Sequence, residues 1–265
     1  MSEHDRQALQ IARVAAQLGA ALGQPLVANL PPAPPPALHA LPVDARALAA
    51  LIDHTLLRPD ATRAQVRQLC DEARTWGFAA VCVHGARVDD CRELLAGTPV
   101  RVCSVVGFPL GACGRTVKAF EAAQLVRRGA QELDMVIDLG ALNDRDDQAV
   151  LDDLRAVVEA AGSASVKVII ETALLSEEQK VVACLLARLA GAQWVKTSTG
   201  FAAAGATVAD VALMRQVVGG ALGVKAAGGV RSRAAALALL AAGATRLGTS
   251  MGPAIVGEQP AAGAR

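Results

Sequence analysis

The sequence predicts an α/β protein built as a (β/α)8 TIM barrel, with a helical extension at its N-terminus. Three observations carry that prediction. Eight short β-branched runs alternate with longer Ala/Leu-rich helical runs, the pattern of a parallel sheet covered by helices. The chain has 265 residues, a length that one barrel of about 250 residues fills. A doubly wound open sheet is the runner-up, but the G-x-G-x-x-G that often follows its first strand does not occur.

Residues 3 to 23 predict a helix, with Leu9, Ile11, Val14, Leu18 and Leu22 as its apolar stripe. "PPAPPP", residues 31 to 36, follows as a stiff polyproline spacer. Residues 1–42 therefore read as an appendage, either an oligomer or packing arm or, equally well, a loosely attached tail; residues 43–257 read as the barrel and 258–265 as a tail. The strand runs are, in order, "LIDHTLL", "AAVCVHG", "VRVCSVVGFP", "ELDMVID", "SVKVIIET", "AQWVKTST", "LGVKAAGG" and "ATRLGTS". Helical stretches lie between them at 62–76, 115–129, 145–161, 176–190, 207–218 and 232–242. Thr62, Ser176, Thr207 and Ser232 are placed to cap the N-termini of four of these, and Gly77, Gly129, Gly162, Gly191 and Gly243 to end five.

Composition narrows the function. Net charge is +1, which gives no electrostatic case for nucleic acid or an anionic membrane as partner. Tyrosine is absent and aromatics make up 2%, too few for base-stacking platforms. No apolar run reaches the roughly 18 residues of a spanning helix, and no basic-then-apolar leader follows Met1, so a cytoplasmic protein is expected. The six cysteines contain no C-x-x-C and read as reduced, buried thiols; Cys82, at a strand end, could face a site, but core packing is the stronger reading for it. His4, His39, His54 and His84 form no H-x-x-x-H or H-x-H pair, so no metal site and no metal cofactor are expected. No G-x-S-x-G, Walker A or nicotinamide fingerprint occurs.

Chemistry is expected at the C-terminal ends of the strands, where barrel enzymes place it. Lys196 closes the run "WVK"; if it points inward, Val195 packs outward. By the same alternation Asp134 shares a face with Val136, Lys167 with Ile169 and Glu171, and Lys225 with Gly223. Taken alone, Lys167 reads equally well as an outward lysine near a rim. Four consecutive strands with a charge in an apolar run point instead to one carboxylate among converging lysines. A second cation about 4 Å away, at an effective dielectric near 20, costs about 4 kcal/mol. That is enough to lower a lysine by about two or three pKa units from about 10.4, before Asp134 offsets part of it. The neutral amine could then attack a carbonyl and form a Schiff base. "KAAGGVR" after the seventh run and "RLGTSMG" after the eighth suit a phosphate, since glycines let backbone N–H groups approach its oxygens.

In order along residues 50 to 252, "IDHTLL", "VVGFPLG", "ELDMVIDLGAL", "VKVIIETALL", "WVKTSTGF" and "VKAAGGVR" resemble the deoxyribose-phosphate aldolase family, metal-free class I aldolases on a (β/α)8 barrel. The resemblance implies that Lys196 is the Schiff-base lysine, Lys225 the second lysine that perturbs it, and Asp134 the proton-relay carboxylate. It implies supporting roles for Lys167 and Thr55, and phosphate contacts at Thr199, Gly200, Gly228, Gly229, Gly248 and Ser250. The implied reaction is reversible cleavage of 2-deoxy-D-ribose 5-phosphate to D-glyceraldehyde 3-phosphate and acetaldehyde, with no cofactor, in a homodimer or homotetramer. Three departures stand out. Ala226 replaces a proline found in some members, Phe201 stands where some have lysine, and no tyrosine exists to act as a terminal proton donor. Two other functions remain open at this point: another lysine-dependent barrel aldolase, and a non-enzymatic sugar-phosphate-binding barrel.

Overall fold

The structure is a computed structural model that describes residues 3–26 and 44–257; the polyproline spacer, the 42/43 boundary and the 258–265 tail lie outside them. In chain order the elements are α1 (Glu3–Ala21), α2 (Ala45–Ala49), β1 (Ile52–Leu56), α3 (Arg63–Trp76), β2 (Ala80–Val83), α4 (Val88–Leu94), β3 (Arg101–Val106), α5 (Arg115–Arg128), β4 (Glu132–Val136), α6 (Leu139–Asn143), α7 (Asp147–Ala161), β5 (Ser165–Ile169), α8 (Glu177–Leu189), β6 (Trp194–Lys196), α9 (Val208–Val218), β7 (Gly223–Ala227), α10 (Arg233–Ala241), β8 (Arg246–Thr249) and α11 (Gly252–Gly257). All eight expected strands form, each pairs in parallel with the next, and β8 closes on β1.

Local chemistry sets the helix ends. The Thr62, Ser176, Thr207 and Ser232 hydroxyls each accept from the backbone N–H three residues on, and Gln65 and Gln179 return the bond to complete two capping boxes. Gly77 and Gly129 end α3 and α5 in the left-handed conformation, at φ 69° and 111°. The short helices α4 and α6 carry no legible sequence period. Val88 and Cys91 are the buried residues of α4, and Leu142 that of α6, so tertiary packing holds them in place.

Two apolar layers result. A large one lies between strands and helices. A small one lies inside the barrel on the β1–β3 side: Leu57, Ala80, Cys82, Cys103 and Val105, with Phe108 against it. Cys82 thus faces the interior, beside Cys103 in register. On β1 and β4–β8 the inward positions include the charged residues that form the site described below.

The helix α1 packs along α8. Ile11, Val14, Ala15 and Leu18 are buried there and merge with the outer core, while Leu9 stays exposed. Arg13 lies 4.0 Å from Glu178 at the edge of this contact.

At the opposite end of the barrel from the mouth, Trp194 packs directly against Gly223. A Cβ on Gly223 would sit 1.9 Å from the indole, and the Arg246 guanidinium lies 5.1 Å from the same ring centroid. Gly223→Ala is expected to push Trp194 off its seat. It should cost about 1–3 kcal/mol of stability in chemical denaturation. A shifted Trp194 emission, read in a Trp76→Phe background, reports the displacement directly.

Candidate active site

Each site side chain is aimed by strand alternation. Val195 packs outward into the core and Lys196 points in. Beyond Lys196 the chain is stitched to its neighbour: Thr197 Oγ1 donates to the Ala227 carbonyl and accepts from the Ala227 N–H, both at 3.1 Å. Register sets Asp134 opposite Lys167, and Lys196 between Ile169 and Lys225.

Asp134 is the hub. Its Oδ2 accepts from Lys196 at 2.8 Å and from Lys225 at 2.7 Å. Its Oδ1 accepts from Lys167 at 2.8 Å and from the Cys103 thiol at 3.2 Å. One oxygen therefore serves the two lysines nearest the mouth, and the other is held by supports from deeper in the barrel. All of these side chains are buried; Lys196, 3% exposed, is the one that opens to the mouth.

The expectation of one carboxylate among lysines is too simple. Asp53 accepts from Lys225 at 2.5 Å through one oxygen and from Arg246 at 2.6 Å through the other. Glu132 pairs with Lys167 at 2.6 Å and with Arg246 at 3.5 Å. Four largely buried cations thus face three carboxylates, and the exposed Arg101 reaches Glu132 as a fifth, at 3.4 Å. The sequence carried a signal for both extra acids, since Asp53 lies within "LIDHTLL" and Glu132 shares a strand face with Asp134. Arg246 gave none, because a first strand residue usually reaches solvent. Cys103 is a buried, free thiol of the inner apolar cluster, and it also contacts Asp134 and Lys167.

These contacts set the charge states. Burial pushes the Asp134 carboxyl up, and the charges of Lys167, Lys196 and Lys225 outweigh it, holding the group well below the usual carboxylate range. Burial likewise opposes ionisation of Asp53, and Lys225, Lys167 and Arg246 hold it low. Burial pushes Lys225 down, and Asp134 and Asp53 carry it above its ordinary value. Lys167 is raised in the same way, against burial, chiefly by Asp134. Lys225 is therefore a fixed ammonium whose repulsion of Lys196 acts across a shared carboxylate oxygen. Bare lysine–lysine repulsion, as expected from sequence, overlooks that oxygen and Asp53. Asp53, Cys103 and Glu132, and likewise Cys82, Cys103 and Asp134, bring ligand-type atoms within 4.8 Å of one another; the acids of both groups are ion-paired with the cations just described.

The remaining expected residues divide. Thr55 Oγ1 donates to the Asp53 carbonyl at 3.0 Å, one pleat nearer the mouth. Gly200, Gly228 and Gly229 lie in the loops after β6 and β7 at φ 88°, 87° and 77°, which only glycine adopts readily. The two loops touch, since Ala206 N–H donates to the carbonyls of Ala227 and Gly228. Ser250 follows β8 and is exposed. Gly248 lies within β8 rather than in the loop; a Cβ there would be 3.1 Å from Lys225 Cε, so its absence makes room for that lysine. Thr199 has both donors engaged by Glu171, its N–H at 3.1 Å and its hydroxyl at 2.5 Å. Phe201 is exposed, edge-on to Phe108 with centroids 5.3 Å apart. His54, in the middle of β1, bonds Glu72 at 2.6 Å, and His84, just after β2, bonds the Leu57 carbonyl at 2.9 Å.

A closed (β/α)8 barrel with lysines gathered on one carboxylate under its C-terminal mouth is the architecture of a lysine-based aldolase. The chain belongs to the DeoC/LacD aldolase family, whose profile matches residues 47–257. It is 56% identical over 210 residues to deoxyribose-phosphate aldolase 1 of Bacillus licheniformis, covering 79% of this chain and 94% of the relative. It is 58% identical over 210 residues to the deoxyribose-phosphate aldolase of a Geobacillus strain, with the same coverage. Among solved structures it is similar to the deoxyribose phosphate aldolase of Aeropyrum pernix, with a TM-score of 0.77, 35% identity and coverage of 82% and 92%. A Coccidioides immitis protein, provisionally described as a deoxyribose-phosphate aldolase, superposes with a TM-score of 0.82 at 37% identity. That match covers 96% of this chain and 97% of the other, and so extends beyond the barrel.

The depressed carboxyls give a stability prediction with a definite sign. A group whose folded pKa lies below its unfolded value stabilises the fold above that unfolded value and loses the contribution as pH falls through the folded one. Folding free energy is expected to stay level down to about pH 5 and to drop below about pH 4. Asp134→Asn should be less stable than wild type at pH 7 and shallower in its acid slope by up to about one proton. Urea titrations between pH 2 and 7 measure both.

Proposed function

We propose that the chain is a class I deoxyribose-phosphate aldolase, with Lys196 as the Schiff-base lysine. The observation that carries this reading is the Asp134 oxygen shared by Lys196 and Lys225 directly under the mouth. Among the described residues Lys196 meets Asp134 alone, whereas Lys225, Lys167 and Arg246 each meet two or more carboxylates. Lys196 is thus the cation least held by the acids of the cluster, and the lysine that opens to the mouth.

The free amine attacks C1 of open-chain 2-deoxyribose 5-phosphate. Loss of water from the carbinolamine gives a protonated imine, which draws electrons from the C2–C3 bond. The 3-hydroxyl loses its proton, the bond breaks, and glyceraldehyde 3-phosphate leaves. Protonation of the enamine at C2 and hydrolysis then return acetaldehyde and the free lysine. Asp134, Lys225 and water carry these protons, since the chain has no tyrosine. Lys167 acts as support: it holds Asp134 Oδ1 from the deeper side. The Gly200, Gly228–Gly229 and Ser250 loops take the phosphate. The names of the relatives support the same substrate. The reading includes a cytoplasmic location and assembly into a homodimer or homotetramer, as the Aeropyrum pernix relative is described as tetrameric. No helix among the described residues is long and apolar enough to cross a membrane.

Borohydride reduction in the presence of acetaldehyde should leave a two-carbon adduct on Lys196, located by peptide mass. Lys196→Arg keeps the charge and removes the nucleophile. It should form no adduct and lose at least about a thousandfold in kcat. A tenth of wild-type turnover in that variant, or an adduct on another lysine, would overturn the assignment.

Lys225→Leu removes both the fixed ammonium and a proton carrier. Activity at pH 7 is expected to fall at least about a hundredfold and to recover partly at alkaline pH, the acid limb moving up by about one unit. A Lys167→Leu control should move that limb less. An unmoved limb in Lys225→Leu would assign Lys225 to proton transfer or substrate binding alone.

A further inference from the structure

Glu171 lies within "VKVIIETALL" yet has no part in the chemistry above, and its backbone geometry is unusual. Among the described residues two non-glycines have positive φ, Arg145 at 59° and Glu171 at 54°. Arg145 is exposed, but Glu171 is buried, 3% accessible. A residue with a Cβ is costly in this region, and such cost persists only where the surroundings hold it.

The ladder shows what holds it. Ile170 N–H donates to the Lys196 carbonyl, and Thr172 N–H donates to the Thr197 carbonyl. In a regular parallel ladder the second bond would fall two residues on, at Ser198. The chain leaving β5 therefore carries one residue in excess, Glu171, in the manner of a bulge. Bulges re-aim a side chain and gather next to active sites. Here the carboxylate is turned across to β6, where one oxygen takes both the N–H and the hydroxyl of Thr199. Thr199 Oγ1 in turn accepts from Phe201 N–H at 3.1 Å. Gly200 lies between these two bonds, packed near Gly228 of the next loop.

We propose that Glu171 is a positioning residue: through Thr199 it sets the turn after Lys196 that faces the substrate phosphate. The proposal rests on the phosphate reading given above. It also changes the part of Thr199. With both donors turned to Glu171, Thr199 transmits the clamp to Phe201 and Gly200 instead of contacting the anion. A carboxylate beside an anion site would be a poor choice for binding, so its value lies in geometry.

The readout is the ratio of kcat/KM for 2-deoxyribose 5-phosphate to that for 2-deoxyribose. Glu171→Gly accepts the left-handed backbone and removes the clamp, and should lower the ratio about tenfold. Thr199→Val should lower it by a similar factor. The double variant should be no worse than either single one, because a single linked clamp is lost. Glu171→Gln keeps an oxygen for both donors and should restore the ratio to within about threefold of wild type. Equal losses on both substrates in Glu171→Gly, or losses that multiply to about a hundredfold in the double variant, would overturn the proposal. A wild-type ratio near one removes the phosphate reading and this inference with it. A high wild-type ratio left unchanged by Glu171→Gly removes this inference alone.

Discussion

The structure depends on one carboxylate. Asp134 has no access to solvent and accepts from three lysines on three strands. Without it, Lys167, Lys196 and Lys225 could not be buried together, because uncompensated charge in a barrel interior is far too costly. With it, the cations are still in excess, and Asp53 and Glu132 make up most of the difference. Arg246 then bridges these two acids from the far side. The result is a continuous ionic layer across β1 and β4–β8 in place of the aliphatic filling that most such barrels carry.

That layer places demands on its surroundings. Lys225 lies where a side chain on Gly248 would be, and the Trp194 ring lies where one on Gly223 would be, so both glycines are required by close approach. The opposite wall of the barrel stays apolar, with Cys82, Cys103 and Val105. Cys103 joins the two halves. It belongs to the apolar cluster, yet its thiol donates to Asp134, and burial, the Cys82 hydrogen bond and the Asp134 charge push that thiol well above its ordinary range. It therefore stays protonated, donating to Asp134 while its sulfur accepts from Lys167 Nζ at 3.4 Å.

Above the layer, the loops divide the work. The turns after β6 and β7 are built from glycines and touch each other, while a clamp from the end of β5 fixes the first of them. The site is thus assembled by contacts between successive strand ends, which only a closed barrel brings into one ring. The α1 helix takes no part in this ring; it lies on the outer surface along α8.

The sequence by itself determined the eight strands, their helices and the capped ends, because strand period, cap hydroxyls and terminal glycines are local properties. It also determined Lys167, Lys196, Lys225 and Asp134, since a charge inside an apolar run on four consecutive strands is visible without coordinates. Only the tertiary structure decided which groups meet. Asp53 and Arg246 stand 193 positions apart and become partners because β8 closes on β1. The inward turn of Cys103 toward Asp134 and the bulge at Glu171 follow from register between neighbouring strands, which no single strand specifies. Gly248 and Thr199 are assigned by proximity for the same reason. A motif shows that a residue type is present, but where its hydrogen bonds go depends on the chain that folds against it.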